Sequence, residues 1–98
     1  YGPEWMTAWL STVMGGWMET RVAINGIVIE NHDSVERLNT VLHDYSDIII
    51  GRMGIPYPKK NVSVISVAVD GPQDTISALS GKLGRLDGVA VKTAYSSV

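Results

Sequence analysis

The spacing of apolar residues in the first half of the chain predicts a strand, a helix and a second strand. Residues 22–30 form a β-branched apolar run of strand length. The polar residues 31–33 interrupt it, and Asp33 followed by Glu36 predicts a capping box at a helix start. A stripe at helical spacing follows, formed by Val35, Leu38, Leu42 and Tyr45. A further apolar run over residues 47–55 predicts the second strand.

The second half of the chain repeats this order. A short loop rich in proline and polar residues precedes the strand predicted over residues 62–70, which therefore returns antiparallel as a hairpin. Pro72 suits the first turn of a second helix. The stripe of that helix is formed by Ile76, Leu79 and Leu83. Gly84 is placed to end the helix, and a turn at residues 87–88 leads into a last strand over residues 89–95.

The two halves also match position by position. Val22 corresponds to Val62 at an offset of 40 residues, and Leu38 corresponds to Leu79 at an offset of 41. Two βαβ units of this size joined by a hairpin form the ferredoxin-like βαββαβ arrangement. Because such crossovers are right-handed, both helices are expected on one face of a four-stranded antiparallel sheet, an α+β fold.

Residues 1–17 differ from the rest of the chain. They contain all three tryptophans and a single charged residue, Glu4. The segment is shorter than the ~20 apolar residues that span a bilayer. It also lacks the positive start of a secretory signal. We therefore predict that residues 1–17 lie outside the domain, as an added or upstream extension, and that the domain covers residues 18–98. A short amphipathic helix or a clip onto a partner is the alternative, because Trp5 and Trp9 lie one turn apart.

Alternation along the two inner strands predicts which face of the sheet the helices cover. The covered face is predicted to carry Asn25, Ile27, Ile29, Ile65, Val67 and Val69. The opposite face then carries Val22, Ile24, Val28, Val62, Val64 and Ala68. A sheet covered on one side normally presents polar residues on the other, so this pattern predicts a homo-oligomer, dimer or tetramer, that hides the second face. An apolar face left exposed, or one covered by residues 1–17, is the alternative.

Composition and charge exclude several classes of function. The chain has 8 basic and 10 acidic residues, and its only basic run is Lys59-Lys60, so no nucleic-acid surface is expected. It has no cysteine, which excludes disulfides, a cysteine nucleophile and thiolate-bound zinc or iron–sulfur clusters. His32 and His43 lie 11 residues apart, without the spacing of a metal-binding pair. We expect no metal, no cofactor, no membrane contact and a cytoplasmic location.

Two segments carry a resemblance to a known family. Residues 74–84, Asp-Thr-Ile-Ser-Ala-Leu-Ser-Gly-Lys-Leu-Gly, followed by residues 88–89 and 91–93, resemble the closing segment of the iron-only hydrogenase system regulators. Residues 50–57, Ile-Gly-Arg-Met-Gly-Ile-Pro-Tyr, are similar to their mid-chain strand and hairpin. The resemblance covers residues 21–93 and implies a stand-alone ACT-like domain, similar to the C-terminal sensor domain of nickel-responsive repressors. Such domains assemble through their sheets and bind small effectors at the interfaces.

The resemblance has limits. Nickel-responsive repressors hold their metal with histidines and a cysteine, and this chain has no cysteine. They bind DNA through a separate ribbon-helix-helix domain, which a tryptophan-rich segment of 17 residues with one charge does not supply. Neither nickel sensing nor direct DNA binding is therefore expected.

Four polar residues are candidates for a ligand site. The resemblance implies that the loop of Asn31, His32 and Asp33 lines an effector pocket. The loop also presents backbone N–H groups at a helix start, which suits an anionic ligand. A capping loop without a ligand is the alternative. Asn25 is predicted on the covered face, where a buried amide needs partners, either a backbone group or a bound polar ligand.

Arg52 and Gly81 are the other two candidates. Arg52 interrupts an apolar strand, where its guanidinium can pair with a ligand carboxylate or protect an edge strand from unwanted pairing. Gly81 lies within a helix, where glycine costs about 1 kcal/mol relative to alanine. We therefore expect a helix, a strand or a ligand to approach it closely.

The sequence predicts an oligomeric regulatory module that senses a small anionic or amino-acid-like effector and has no DNA-binding domain of its own. A link to the iron-only hydrogenase system is what the resemblance implies. A small ferredoxin-like enzyme is one alternative, although no nucleophile beside a base and no paired carboxylates are recognisable by spacing. A purely structural protein-interaction domain is the other.

Overall fold

The computed structural model describes residues 19–97. Six regular elements follow one another along this part of the chain. They are β1 (Arg21–Ile29), α1 (Val35–Asp44), β2 (Ile49–Tyr57), β3 (Val62–Gly71), α2 (Gln73–Gly84) and β4 (Val89–Tyr95). Short 3-10 turns precede α1 and β2 and connect β2 to β3. The boundary predicted between residues 17 and 18, and the possible helix at Trp5 and Trp9, lie outside the described residues.

The strands form one antiparallel sheet in the order β2-β3-β1-β4. β1 and β3 are the inner strands, and Ile27 of β1 lies between Ile65 of β3 and Val91 of β4. α1 joins β1 to β2 across β3, and α2 joins β3 to β4 across β1. The βαββαβ topology predicted from the sequence is therefore confirmed.

The hydrophobic core lies between the helices and one face of the sheet. The sheet contributes Ala23, Ile27, Ile29, Ile65, Val67 and Val69, and the helices contribute Leu38, Leu42, Ile76, Leu79 and Leu83. Asn25 is also fully buried on this face. The predicted covered face is confirmed, because each of its members is buried.

The predicted start and end of the second strand are each two residues too early. A 3-10 turn over Ser46–Ile48 delays the start of β2 to Ile49. At its other end the strand continues through Pro56, which lies opposite Ser63. An edge strand tolerates proline, because the missing N–H can face away from the neighbouring strand.

The caps of both helices also differ from the predicted ones. The side-chain cap lies at Asn31, whose Oδ1 accepts a hydrogen bond of 3.0 Å from the backbone N–H of Asp33, so the predicted capping box of Asp33 and Glu36 is wrong. Pro72 is the residue that precedes α2 rather than its first helical residue. α2 ends at Gly84, as predicted, and the glycine with a positive φ is Gly88, at 67°. In the described part of the chain, no helix is long and apolar enough to cross a membrane.

Candidate functional site

The face of the sheet opposite the helices, called the open face below, is apolar and uncovered in the single chain. Alternate residues of all four strands point to it, in three rows across the sheet. The rows are Gly51–Ala68–Ile24–Ala94, Met53–Ser66–Gly26–Lys92 and Ile55–Val64–Val28–Ala90. The exposed fraction is 64% for Met53, 56% for Ile55, 49% for Ile24 and 40% for Val64. Large apolar side chains therefore face solvent along the inner strands and β2.

The open face has a bulky side and a shallow side. Along β2 it carries Met53, Ile55 and Tyr57, whereas along β4 it carries two alanines and Lys92. Beside Met53, the small residues Gly51, Ser66 and Ala68 line a hollow of about 240 Å³, which Arg52 also borders. The difference between the large side chains on β2 and the small ones on β4 gives the open face a shape that another surface can match.

The loop predicted to line an effector pocket is tied into the fold by its own hydrogen bonds. Asn31 uses both ends of its amide, because Oδ1 caps Asp33 and Nδ2 donates to Oδ2 of Asp87 over 2.7 Å. The hydroxyl of Ser34 donates to the carbonyl of Asp87 over 2.6 Å. His32 lies 3.3 Å from Oδ1 of Asn61 in the β2–β3 hairpin. These contacts account for the loop as a cap and a junction, and its role toward a ligand stays a prediction.

Asn25 ends a chain of hydroxyl groups that runs between α2 and β4. The hydroxyl of Thr93 donates to Oδ1 of Asn25 over 2.6 Å and lies 2.8 Å from the hydroxyl of Ser80. One turn earlier in α2, the hydroxyl of Ser77 lies 3.2 Å from that of Tyr95. Nδ2 of Asn25 is buried without a hydrogen-bond partner. At Oδ1 a side-chain hydroxyl takes the place of the expected backbone partner, and neither N–H of Nδ2 has a partner within the described residues. A bound polar ligand at Asn25 stays a prediction.

Arg52 lies on the edge strand β2 and faces the same side of the sheet as the helices. Its Cα is paired with that of Val67, which is fully buried beneath them. Nη2 of Arg52 donates to Oδ1 of Asn39 in α1 over 3.1 Å. Arg52 also borders a groove between α1 and β2 that contains His43. Both interpretations of Arg52 from the sequence, a ligand contact and a protected edge, fit this position.

The close approach expected at Gly81 is made by no helix or strand of residues 19–97, and an approach by a ligand stays a prediction. A Cβ atom built on Gly81 meets nothing within 4 Å, apart from its neighbours and the backbone of its own helix, and the residue is exposed. No helix or strand of the described chain therefore requires glycine there. The close approach occurs instead at Gly88, where a Cβ would lie 2.5 Å from the Cβ of Asn31.

No group of three or more histidine, cysteine, aspartate or glutamate side chains within residues 19–97 is arranged to hold a metal. His32 and His43 belong to different surfaces, the first at the β2–β3 hairpin and the second in the groove beside Arg52. The charged side chains of residues 19–97 contact neutral groups instead, as Arg52 does with Asn39 and Lys82 with the ring of Tyr45.

Several residues at these sites were not singled out by the sequence. Three of them contact a predicted candidate directly, namely Thr93, Asp87 and Asn39, and Ser80 contacts Thr93. The polar Thr93 on the covered side of a strand, paired with Asn25 by register, is the one signal that was available. The others depend on contacts across the fold.

Comparison with known proteins identifies the family. The family model described as "Iron-only hydrogenase system regulator, putative" (TM1266-like) matches residues 21–93. The structure of the uncharacterized protein TM1266 from Thermotoga maritima is similar, with a TM-score of 0.75 and 38% identity, covering 79% of this chain and 98% of that one.

A second solved structure is more distant, and no curated protein is similar enough to count as a relative. The divalent ion tolerance protein CutA1 from Ehrlichia chaffeensis aligns with a TM-score of 0.45 and 11% identity, covering 81% of this chain and 84% of that one. That similarity carries no functional argument. The family match over residues 21–93 and the 38% identity to TM1266 show that the chain belongs to the iron-only hydrogenase system regulator family.

Proposed function

We propose that this protein is an oligomeric regulatory module that senses a small effector and has no DNA-binding domain of its own. The observation that supports this most directly is the apolar open face. A regulator built from one small sheet domain needs a surface through which its state is passed on, and five of the seven exposed large hydrophobic residues of the described strands lie on this face. A cytoplasmic location is part of the proposal, and the cysteine-free composition fits it.

Burial of the open face is energetically favourable. Fully burying an exposed aliphatic side chain contributes about 1.5–3 kcal/mol, and Ile24, Met53, Ile55 and Val64 are all well exposed in the single chain. Two such faces can stack at about 10 Å, as sheets do in sandwiches. Association of two copies costs free energy, because translational and rotational freedom is lost. The free energy gained by burying a few side chains of each copy exceeds this cost only if most of the open face is covered.

The relief of the open face favours a second copy as its partner. In a two-fold assembly the same patch faces itself, so the bulky β2 side of one copy can lie over the shallow β4 side of the other. In the proposed arrangement the two sheets cross at about 30°, as in aligned sandwiches, and Met53 and Ile55 of one copy lie against Ala94 and Ala90 of the other. A partner with a different surface would not need this match between the two sides of one face.

The test is the mass of the protein in solution. We expect the unmodified chain to have at least twice its monomer mass of 10.6 kDa by light scattering. Ile24→Lys and Val64→Lys place a charge in the middle of the open face and should shift the mass to that of a monomer. Ala78→Lys, on the exposed surface of α2, is the matched control and should not. A monodisperse monomer of the unmodified chain at about 0.1 mM would overturn the proposal.

Effector sensing is tested separately, by thermal unfolding with amino acids, nucleotides and divalent metals. A ligand that binds only the folded state raises the melting temperature. A rise with at least one compound, without turnover of it, supports sensing. Turnover would favour the enzyme alternative, and no rise at millimolar concentrations would favour a domain that only binds other proteins.

A further inference from the structure

A groove runs between α1 and the edge strand β2, on the helix side of the sheet. It has a volume of about 430 Å³ and is lined by Asn39, Leu42, His43, Ser46, Ile49 and Arg52. The connection through α1 crosses β3 to reach the edge strand β2, and the pairing of β2 with β3 is irregular between Ile49 and Gly51, at the groove. Its volume falls within the range of about 300–1,000 Å³ that is usual for small-molecule sites.

The guanidinium of Arg52 is the charged group of this groove. It donates one hydrogen bond, from Nη2 to Asn39, and a guanidinium carries five N–H donors. No carboxylate within residues 19–97 lies within ion-pair distance of it. Asp44 and Asp47 are close in sequence but do not line the groove. An arginine with free donors beside a cavity is suited to bidentate binding of a carboxylate.

The other lining residues define what else the ligand needs. Asn39 and His43 lie four residues apart on α1, so they share one face of the helix and both border the groove. The hydroxyl of Ser46 adds a further polar group at the end of that helix. Leu42, of which 2% is exposed, and Ile49 supply an apolar wall. None of the lining residues is acidic, so the groove offers a cation no carboxylate partner.

We propose that this groove is the effector site, and that it binds a small carboxylate with a short branched apolar tail. The carboxylate pairs with Arg52, His43 and Asn39 orient it, and the tail lies against Leu42 and Ile49. This inference rests on the proposed sensing function and moves the site away from the loop at Asn31.

The strand β2 connects the groove to the open face, through which the chain is proposed to form an oligomer. Arg52 and Met53 are consecutive, so their side chains lie on opposite faces of the same strand. Arg52 borders the groove, and Met53 is on the open face proposed to meet a second copy. A ligand that holds β2 in one position affects the groove and the open face together. Ligand binding then changes the affinity between copies, and oligomer formation changes the affinity for the ligand by the same factor.

The test uses isocaproate and L-leucine as probes, with isocaproamide as the uncharged counterpart of isocaproate. Binding is followed by amide chemical shifts in NMR titrations of the full chain up to about 10 mM ligand, which detects dissociation constants in the millimolar range. We expect saturable shifts from at least one charged probe, centred on residues 39–52, and at least about tenfold weaker binding of the amide.

Three variants locate the binding. Arg52→Gln removes the charge and should weaken binding by at least about tenfold. Asn39→Asp places a carboxylate at the hydrogen-bonded neighbour of Arg52, and should weaken binding similarly by occupying the guanidinium. Arg85→Gln, at an exposed arginine after α2, is the control and should bind as the unmodified chain does.

The outcomes separate this inference from the proposed function. The groove is not a carboxylate site if isocaproamide binds as tightly as isocaproate, or if Arg52→Gln binds the probes as tightly as the unmodified chain. It is also not one if neither isocaproate nor L-leucine shows saturable binding. If another effector raises the melting temperature of Arg52→Gln and of the unmodified chain alike, sensing stands and this site is wrong. If the chain is a monomer but binds isocaproate through Arg52, the groove stands and the oligomeric proposal fails.

Discussion

A Cβ atom placed on Gly88 would lie 2.5 Å from the Cβ of Asn31 and 2.8 Å from its backbone nitrogen. The two residues belong to the loops before α1 and before β4, which meet at one end of the sheet. The backbone N–H of Glu30 donates to the carbonyl of Gly88 over 2.7 Å, and φ of Gly88 is +67°. Both the left-handed backbone and the lack of a side chain are therefore needed for the loops to join.

Gly88→Ala should lower the free energy of unfolding by at least about 2 kcal/mol, because it combines a disfavoured backbone region with a clash against backbone atoms. Urea unfolding followed by circular dichroism measures this. Gly84→Ala is the matched control, since a Cβ there meets nothing within 4 Å. That control should be neutral or stabilising by up to about 1 kcal/mol. Similar effects of the two substitutions would contradict the junction.

Gly81→Ala should stabilise the protein by about 0.5–1 kcal/mol, because it adds helix propensity at an exposed position that contacts no other element. The comparison is Gly71→Ala, where a Cβ would lie 2.8 Å from Cγ2 of Ile48 and should be destabilising. Thermal unfolding of both variants checks this. If Gly81→Ala instead lowers the melting temperature or the oligomer mass, a partner or ligand approaches α2 there.

Thr93→Val should destabilise the fold by about 1–3 kcal/mol, because Oδ1 of Asn25 then loses its only hydrogen bond while remaining buried. Asn25→Leu removes the amide itself, so the double variant should cost less than the sum of the two single changes. A double-mutant cycle from urea unfolding gives this coupling. Ser77→Ala, at an exposed hydroxyl that contacts Tyr95, should change stability by at most about 0.5 kcal/mol. Additive effects at Asn25 and Thr93 would exclude the hydroxyl chain as a unit.

Arg52→Val should aggregate faster than the unmodified chain on heating, because a charge on an edge strand opposes pairing with further strands. Arg52→Gln removes the charge but keeps a polar side chain and serves as the comparison. Turbidity at a fixed temperature below the unfolding transition measures the rate. Equal rates for all three proteins would show that the charge does not protect β2, and would leave Arg52 to its contact with the groove.

Local pattern was sufficient for most of the fold. The bounds of β4 were predicted without error, because a turn at residues 87–88 precedes a regular apolar alternation that stops before the polar residues 96–97. The shift in β2 arose because proline usually ends strands, and the edge position that tolerates Pro56 is a property of the assembled sheet. The same reason applies to the cap of the 3-10 turn before α1, where Asn31 is held by Asp87 from the second half of the chain.

The candidate site was less predictable than the fold. Asn25 was correctly expected to be buried, but its partner Thr93 lies 68 residues away and is fixed only by strand register. The groove beside Arg52 depends on how far α1 extends over the sheet, which no local spacing encodes. A close neighbour was expected at Gly81 because glycine is unfavourable inside a helix, and within residues 19–97 no helix or strand supplies one.

The match between the two sides of the open face gives a last prediction, which depends on the two-fold assembly. Ala94→Met fills the shallow side and should raise the dissociation constant of the oligomer at least about tenfold, because it meets a bulky residue of the second copy. Met53→Ala makes the bulky side smaller and should also raise the dissociation constant, because less apolar area is buried. The double variant should recover part of the lost affinity, since the new methionine then occupies the space left by the old one. Sedimentation equilibrium at several concentrations measures all four constants, and a double variant weaker than either single one would mean that Met53 and Ala94 of different copies do not meet.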